Sequence, residues 1–370
     1  MSGELGTAVH QFLPTFAGGD AIGNHVLRLQ RVLRSAGFES EIFADEVKPA
    51  VRRHARHYRE FSPADGPPPW LLYHLSTGSP MAGFLAEQAE RCPLAVYYHN
   101  ITPAKFFERW EPEAAKSVRG ARDELRRLAA VTRLAMANST HSADELAAEG
   151  YPDPQVVPVL VDFSEYDAPS DASATARLQR AARDGGAHWL FVGRLAPNKC
   201  QHDVIAAFAA HRAVFDPAAR LSLIGGKTSE LYHRALELLV SELGVEGSVD
   251  FADHVTFAEL LAYYRSASVF VSLSQHEGFC VPVLEAMHVG IPVVALAASA
   301  VPETVGDGGL LLPGSDPLLV ATAVDRVLSD APLRERLVAS GRERTECYSL
   351  AHSGRRFLDV LASREVTAGG

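Results

Sequence analysis

Residues 266–296 read SASVFVSLSQHEGFCVPVLEAMHVGIPVVAL. Ala267 to Leu273 mixes β-branched and apolar residues as a buried parallel strand does, and Ile291 to Leu296 repeats the pattern. Between them Pro282 opens a short helix and Gly290 closes it, following the preference for proline first and glycine last. The unit is strand–loop–helix–strand. Glu277 falls in the loop past the first strand's carboxyl end, where open α/β sheets take their ligands. Glu285 falls in the first turns of the helix, with seven residues between the two acids. The peptide N–H groups of Gly278, Phe279 and Cys280 lie at the amino end of that helix, a place that favours oxygen-rich anions. One carboxylate accepts hydrogen bonds from two neighbouring hydroxyls at once, so the pair suits two sugars of one ligand. Taken alone, a loop charge and an acid complementing the helix dipole would be the commoner explanation.

The rest of the chain repeats this alternation. With 370 residues it is long enough for two domains, and 47% hydrophobic with 22% charged residues is a soluble, globular balance. The net charge of −10 argues against nucleic acid as a partner. No apolar run approaches the ~18–20 residues that cross a bilayer, and no basic stretch followed by an apolar core marks a signal peptide. The four cysteines are scattered without paired metal-ligand spacing, as in a reduced, cytoplasmic protein.

In the first half, residues 6–13 predict a strand. Gly18 and Gly19 follow, a turn that lets backbone approach a phosphate, and Asp20 is placed to cap a helix carrying Val26, Leu29, Val32 and Leu33 on one face. Strands are expected at 38–44, at 70–75 with His74 near its end, and at 94–98 with His99 and Asn100 just beyond. Residues 48–59 are locally basic, which a solvated face explains most simply. A helical stretch over 112–133 carries Lys116, Arg119, Arg122, Arg126, Arg127 and Arg133 with few acids nearby in sequence. A strand ending at Asn138, a helix over 141–149 and VVPVLVDF at 156–163 complete this half. Residues 164–186 turn to Ser, Asp, Ala, Pro and Gly and predict an inter-domain boundary. In the second half, HWLFVGR ends a strand on Arg194, LSLIGG ends one on Gly225 and Gly226, and VDFADHV ends one near His254. Helices are expected at about 317–329, 331–344 and 350–364. The expected division is 1–163, a linker at 164–186, and 187–349, with the last helix packing back on the first domain. The fold class is α/β, with two doubly wound domains.

Arg194 and Lys199 lie five residues apart across a strand-to-helix turn, and a guanidinium fork beside a point charge suits a diphosphate. Here the motifs acquire a family. EGFCVPVLEAMHVGIPVVA resembles the signature of the retaining glycosyltransferases of family 4, VGRLAPNK resembles their diphosphate-binding turn, and HNITP resembles the segment whose histidine approaches the reacting sugar. The glycine pair 18–19, VDFADHV and AVPETVGDGGLLL match further segments of the same family, over most of the chain. Departures are Cys200, Asp253 and Cys280, each where glycine is usual.

The resemblance implies a GT-B architecture, two Rossmann-like domains facing a central cleft. It implies that Glu277, with the amides of Gly278 and Phe279, holds the donor sugar and that Glu285 holds the ribose. Arg194 and Lys199 would hold the diphosphate, and His99 would orient the sugar. Gly18, Gly19, Gly225, His254 and Cys280 would complete the nucleotide-sugar site. The implied reaction is metal-independent transfer, with retention, of a hexose-type sugar from a UDP-, GDP- or ADP-sugar to a saccharide, lipid-linked or small-molecule acceptor. No cofactor and at most peripheral membrane contact are expected. A nucleotide-sugar epimerase of the same fold and a non-catalytic nucleotide-sugar binder are the alternatives.

Overall fold

The computed structural model describes residues 8–63, 66–182 and 185–365. The chain divides into two compact units, one of residues 1–105, 112–162 and 348 onward, the other of 106–111 and 163–347. Residues 6 and 7 of the first expected strand, and 183–184 of the expected boundary, lie outside the described residues.

The first unit runs β1 (Val9–Phe16), α1 (Ala21–Ser35), β2 (Ile42–Val47), β3 (Arg56–His57), β4 (Trp70–Leu75), α2 (Met81–Gln88), β5 (Leu94–Tyr98), α3 (Pro112–Ala129), β6 (Thr132–Ala137), α4 (Thr140–Ala148) and β7 (Gln155–Val156). Its seven strands are ordered β3-β2-β1-β4-β5-β6-β7, all parallel. The order reverses between β1 and β4, the arrangement of a doubly wound sheet. Side-chain alternation fills both faces: Leu71, Tyr73 and Leu75 enter one apolar cluster, Trp70 and Leu72 the other. Of the stretch 156–163 only Val156 joins the sheet. Prolines at 154 and 158 interrupt the ladder there. Two arginines of α3 find acids on α4 and at the residue that follows it: Arg122 reaches Glu145 and Glu149 at 3.5 Å, and Arg126 reaches Glu149 at 2.7 Å. Those partners are remote in sequence, so the basic run looked unbalanced.

The second unit carries α5 (Ala172–Ala181), β8 (His188–Val192), α6 (Gln201–Val214), β9 (Arg220–Ile224), α7 (Glu230–Glu242), β10 (Val249–Ala252), α8 (Phe257–Ser266), β11 (Val269–Ser272), α9 (Val281–Val289), β12 (Val293–Leu296), α10 (Val301–Val305), β13 (Gly309–Leu312), α11 (Pro317–Ser329) and α12 (Ala331–Glu346). Its six parallel strands run β10-β9-β8-β11-β12-β13, reversing between β8 and β11. Trp189, Phe191, Phe208, Leu223, Val271 and Val294 are central to its core.

Residues 164–182 belong to this unit and are folded on it. Asp171 caps α5 through the N–H of Ala174 at 2.7 Å, its own N–H donates to the Ala258 carbonyl, and Arg265 donates to the carbonyls of Tyr166 and Ala168. The composition read as a linker because few of its residues are apolar, yet Ala174 and Leu178 are buried. Six residues from the first half of the sequence, Phe106–Glu111, also belong here. Trp110 packs edge-on against Tyr232 with ring centroids 5.1 Å apart, and Ser229 Oγ donates to its carbonyl. The last helix, α13 (Leu350–Glu365), lies in the first unit, where Phe357, Val360 and Leu361 pack with Leu29 and Leu33 of α1.

Candidate active site

In the second unit the site is built where the strand order reverses. The chain leaves β8 through Gly193 and Arg194, makes a 3-10 turn at Pro197–Lys199 and enters α6; from β11 it passes Gln275 to Cys280 and enters α9. Backbone and amide groups bind these two loops together. The Gln275 N–H donates to the Asn198 carbonyl at 3.0 Å, and Asn198 Nδ2 donates to the His276 carbonyl at 3.1 Å. Lys199 Nζ then lies 2.6 Å from Glu277 Oε1, with 16% and 10% of the two side chains exposed. The Glu277 N–H donates to Ser299 Oγ and its carbonyl accepts from the Ala300 N–H, which fixes the loop from the far side. A largely desolvated cation and carboxylate in contact form a poised pair: either can exchange its partner for a ligand group of like charge or polarity.

Arg194 is exposed, and its carbonyl accepts from Gln201 Nε2. Near it stands Glu111 of the inserted segment, whose carboxyl is pushed up by burial, against the opposing effects of a hydrogen bond with Thr228 and the Arg194 charge. Gly225 is required by packing: its φ is +142°, and a Cβ would lie 2.2 Å from the Gly193 carbonyl oxygen. The ends of β8 and β9 are thus pressed together. His254 protrudes with 90% of its side chain exposed, 3.8 Å from Asp253 Oδ1.

Glu285 has a different set of partners. Tyr264 Oη donates to its Oε2 at 2.6 Å and Tyr166 Oη donates to its Oε1. Burial, followed by the Glu285 charge, pushes the Tyr264 phenol well above its ordinary range, so it remains a donor. Nothing in the sequence near Glu285 announces these tyrosines. Tyr166 comes from the stretch read as a boundary and Tyr264 from the preceding helix.

Gly278, Phe279 and Cys280 lead into α9 as expected; Phe279 is buried and its carbonyl accepts from Thr304 Oγ1. Cys280 has φ +72° and Cys200 has φ +52°, both left-handed, and both are buried at the first residue before a helix. The glycine-like backbone is therefore kept with cysteine in place. Burial pushes the Cys200 thiol up to about 12, which holds it protonated. Its neighbour His202, near Asp203, is engaged with Tyr232 Oη at 2.9 Å.

In the first unit, Gly18 and Gly19 (φ +84°) follow β1, and Asp20 caps α1 by accepting from the Gly23 N–H at 2.6 Å. His99 follows β5. Its Nε2 lies 3.0 Å from Nδ1 of His74, whose Nε2 lies 3.0 Å from Gln11 Oε1. His25 of α1 completes a cluster of three buried imidazoles. Burial pushes His99 down to about 3, so its ring is held in the neutral form. A polar side chain inside each of VHQFLPTF and WLLYHL was the available sequence signal for Gln11 and His74. Among the described residues no helix is long and apolar enough to cross a membrane.

The family and the fold have counterparts among known proteins. Residues 174–344 match the family described as glycosyl transferases group 1. The chain is 31% identical over 307 residues to a D-inositol 3-phosphate glycosyltransferase of Streptomyces bingchenggensis, covering 79% of this chain and 65% of that protein. A protein of the same name from Thermomonospora curvata is 30% identical over 308 residues, covering 78% of this chain and 70% of its own length. The chain thus spans just under two thirds of the first of these relatives. Among solved structures, Anabaena HepE in complex with UDP and glucose is similar with a TM-score of 0.74 at 18% identity, covering 95% of this chain and 99% of that one. Sucrose-phosphate synthase from Thermosynechococcus elongatus gives 0.75 at 20% identity, covering 98% and 100%. The α/β, GT-B fold class expected from the sequence is the one found. By its relatives and by the family match through the whole second sheet, the chain belongs to the group 1 glycosyl transferases.

Proposed function

We propose that the protein is a retaining, metal-independent hexosyltransferase that uses a nucleoside-diphosphate sugar as donor. The observation that carries this reading is the Lys199–Glu277 contact at the reversal point of the second sheet, where a cation for phosphate and a carboxylate for hydroxyls are held side by side. Lys199 and Arg194 bind the diphosphate, Glu277 accepts from hydroxyls of the sugar, and Glu285, oriented by Tyr166 and Tyr264, accepts from the ribose. In the reaction the bond from the anomeric carbon to the diphosphate oxygen breaks, and its electron pair leaves with the diphosphate. The acceptor oxygen bonds to the same face of the carbon, and its proton passes to the departing phosphate oxygen. Charge grows on the diphosphate as the bond breaks, and each fixed cation or amide donor there lowers the barrier by about 3 kcal/mol. With Lys199 and Arg194 in that role, no metal ion is needed for the departure. His99, being neutral, orients a sugar hydroxyl.

The relatives named for inositol 3-phosphate and the neighbour holding UDP and glucose make UDP-sugars and a polyol phosphate the first substrates to try, in a cytoplasmic reaction. The test is incubation of the purified protein with UDP-, GDP- and ADP-sugars, with and without acceptors and with a chelator present. Release of nucleoside diphosphate together with a glycoside of unchanged anomeric configuration is the expected result. Inverted product, or activity abolished by the chelator and restored by a divalent cation, would refute the retaining or the metal-independent part respectively.

A further inference from the structure

We propose that Gln11 and His74 are positioning residues that hold the His99 imidazole in its Nε2–H form, leaving its Nδ1 lone pair to accept a hydrogen bond from a sugar hydroxyl. The identity of that hydroxyl's owner rests on the transferase reading above; the proton assignment does not.

The assignment starts from a group with no choice. The Val26 carbonyl can only accept, and it lies 3.1 Å from the amide nitrogen of Gln11. Gln11 is 0% exposed, so its orientation is set by this contact and not by water. Its Oε1 therefore faces His74 Nε2 at 3.0 Å, and an amide oxygen also only accepts. His74 Nε2 must carry the proton. Burial keeps His74 neutral, with His99 as a further cause, so its Nδ1 is a bare lone pair. The atom 3.0 Å from that lone pair is His99 Nε2, which must then be the donor. His99 is itself neutral, and one proton is already spent at Nε2; Nδ1 is left as an acceptor. The chain crosses β1, β4 and the end of β5, three adjacent strands around the reversal point of the first sheet. The backbone of His99 is fixed as well, its N–H donating to the Leu75 carbonyl and its carbonyl accepting from Asn138 Nδ2.

His25 decides between this relay and a metal centre. Three imidazoles with nitrogens within 4.8 Å of one another have the spacing of a trihistidine site. A metal needs a lone pair from each ring. The Leu160 N–H donates to His25 Nδ1 at 3.0 Å, so the proton of neutral His25 sits on Nε2. That Nε2 is buried and has no hydrogen-bond partner among the described residues. The ring stands edge-on to His74 and His99, with centroids 5.4 and 5.3 Å away at interplanar angles of 76° and 77°. It presents an N–H where a metal would need a lone pair, while the His74 lone pair is already engaged. The cluster is a hydrogen-bonded support and not a cation cage.

The experiment is a long-range proton–nitrogen correlation spectrum of the full chain labelled with ¹⁵N-histidine, together with steady-state kinetics. The expected spectrum has Nε2 protonated and Nδ1 bare in both His74 and His99. In Gln11→Met, which removes the acceptor at the head of the chain, His99 should populate both tautomers. Turnover should fall about tenfold, the worth of one hydrogen bond made in the transition state, with KM for the sugar nucleotide unchanged. A wild-type spectrum with His99 protonated at Nδ1 overturns the proposal without any variant having to fold. So does a Gln11→Met protein that keeps both the wild-type tautomer and the wild-type turnover. The expected spectrum in a protein that turns over no sugar nucleotide would uphold the relay and refute the transferase reading instead.

Discussion

Lys199 Nζ and Glu277 Oε1 are 2.6 Å apart, joining the loops that leave the adjacent strands β8 and β11. Two consequences follow from so close a pair. Each charge offsets the desolvation of the other, and under the proposed function a diphosphate arriving at Lys199 competes with a carboxylate already there. Under that function, the contact that joins the two loops weakens the site for anions until sugar hydroxyls engage Glu277.

Glu277→Gln removes that competition and retains the shape. We expect nucleoside diphosphate to bind as tightly as in the wild type or tighter, while turnover falls by about 100-fold or more. Lys199→Ala should weaken nucleoside diphosphate and slow turnover together. Titration calorimetry with initial rates separates the two variants; equal loss of diphosphate affinity in both would contradict the division of roles.

Glu285 owes its orientation to two phenols. Replacing Tyr264 by Phe removes the hydrogen bond it donates to Oε2 in a partly buried setting, which should cost about 1.5–3 kcal/mol as the loss of a hydrogen bond to a charged group. Urea unfolding of Tyr264→Phe against wild type measures it. A change within error would mean that water replaces the phenol freely.

The buried histidines should make the fold sensitive to acid. His99 is lowered to about 3 and His188 to about 4, and His25 and His74 lie well below their ordinary value, all chiefly through burial. In the unfolded chain each titrates near ~6.5, so on acidification the unfolded state takes up protons first. Their contribution is complete above ~6.5 and is lost progressively as pH falls from there through the folded values. Urea midpoints should therefore drop steadily below about pH 6.5, and His99→Gln should flatten that slope. The pH–rate profile should show no inflection from His99 near neutrality.

Cys280 occupies a left-handed position, φ +72°, immediately before α9. A Cβ there costs about 1–2 kcal/mol that glycine does not incur. Of the two truncations, Cys280→Gly should be more stable than Cys280→Ala by about 1 kcal/mol, the reverse of the helix-interior order. Thermal denaturation of the two proteins tests it; greater stability of the alanine variant would show that the loop adopts another backbone in solution.

Local signals were legible in the sequence where they were decided locally. Pro282 and Gly290 bound α9 to within a residue, Arg194, Gly225 and Glu277 lie beyond strand ends, and Lys199 lies in the turn that leads into α6, as the sequence predicts. The partners that tune those residues were not legible, because they arrive from elsewhere. Tyr166 comes from a stretch with the composition of a connector, Glu111 from a segment more than eighty residues before Arg194 in the chain, and Gln11 meets His74 only once β1 and β4 are neighbours. The strand β13 is hidden in the sequence for a different reason. It is four residues long and follows Gly-Asp-Gly, so turn chemistry masks it. The left-handed backbone at Cys200 and Cys280 has no signal in cysteine itself, and only the glycine usual at those places in the family resembled points to it.

The placement of Trp110 bears on how this molecule can be taken apart. Its indole fills space beside Tyr232, and the residues that deliver it are encoded far upstream of everything else in that body. A gene fragment cut at the apparent boundary near 163 would encode a half with an unplugged hole on its surface and Thr228 missing its carboxylate neighbour. Producing that half alone calls for a rearranged reading frame, with the 106–111 peptide grafted on or supplied in trans.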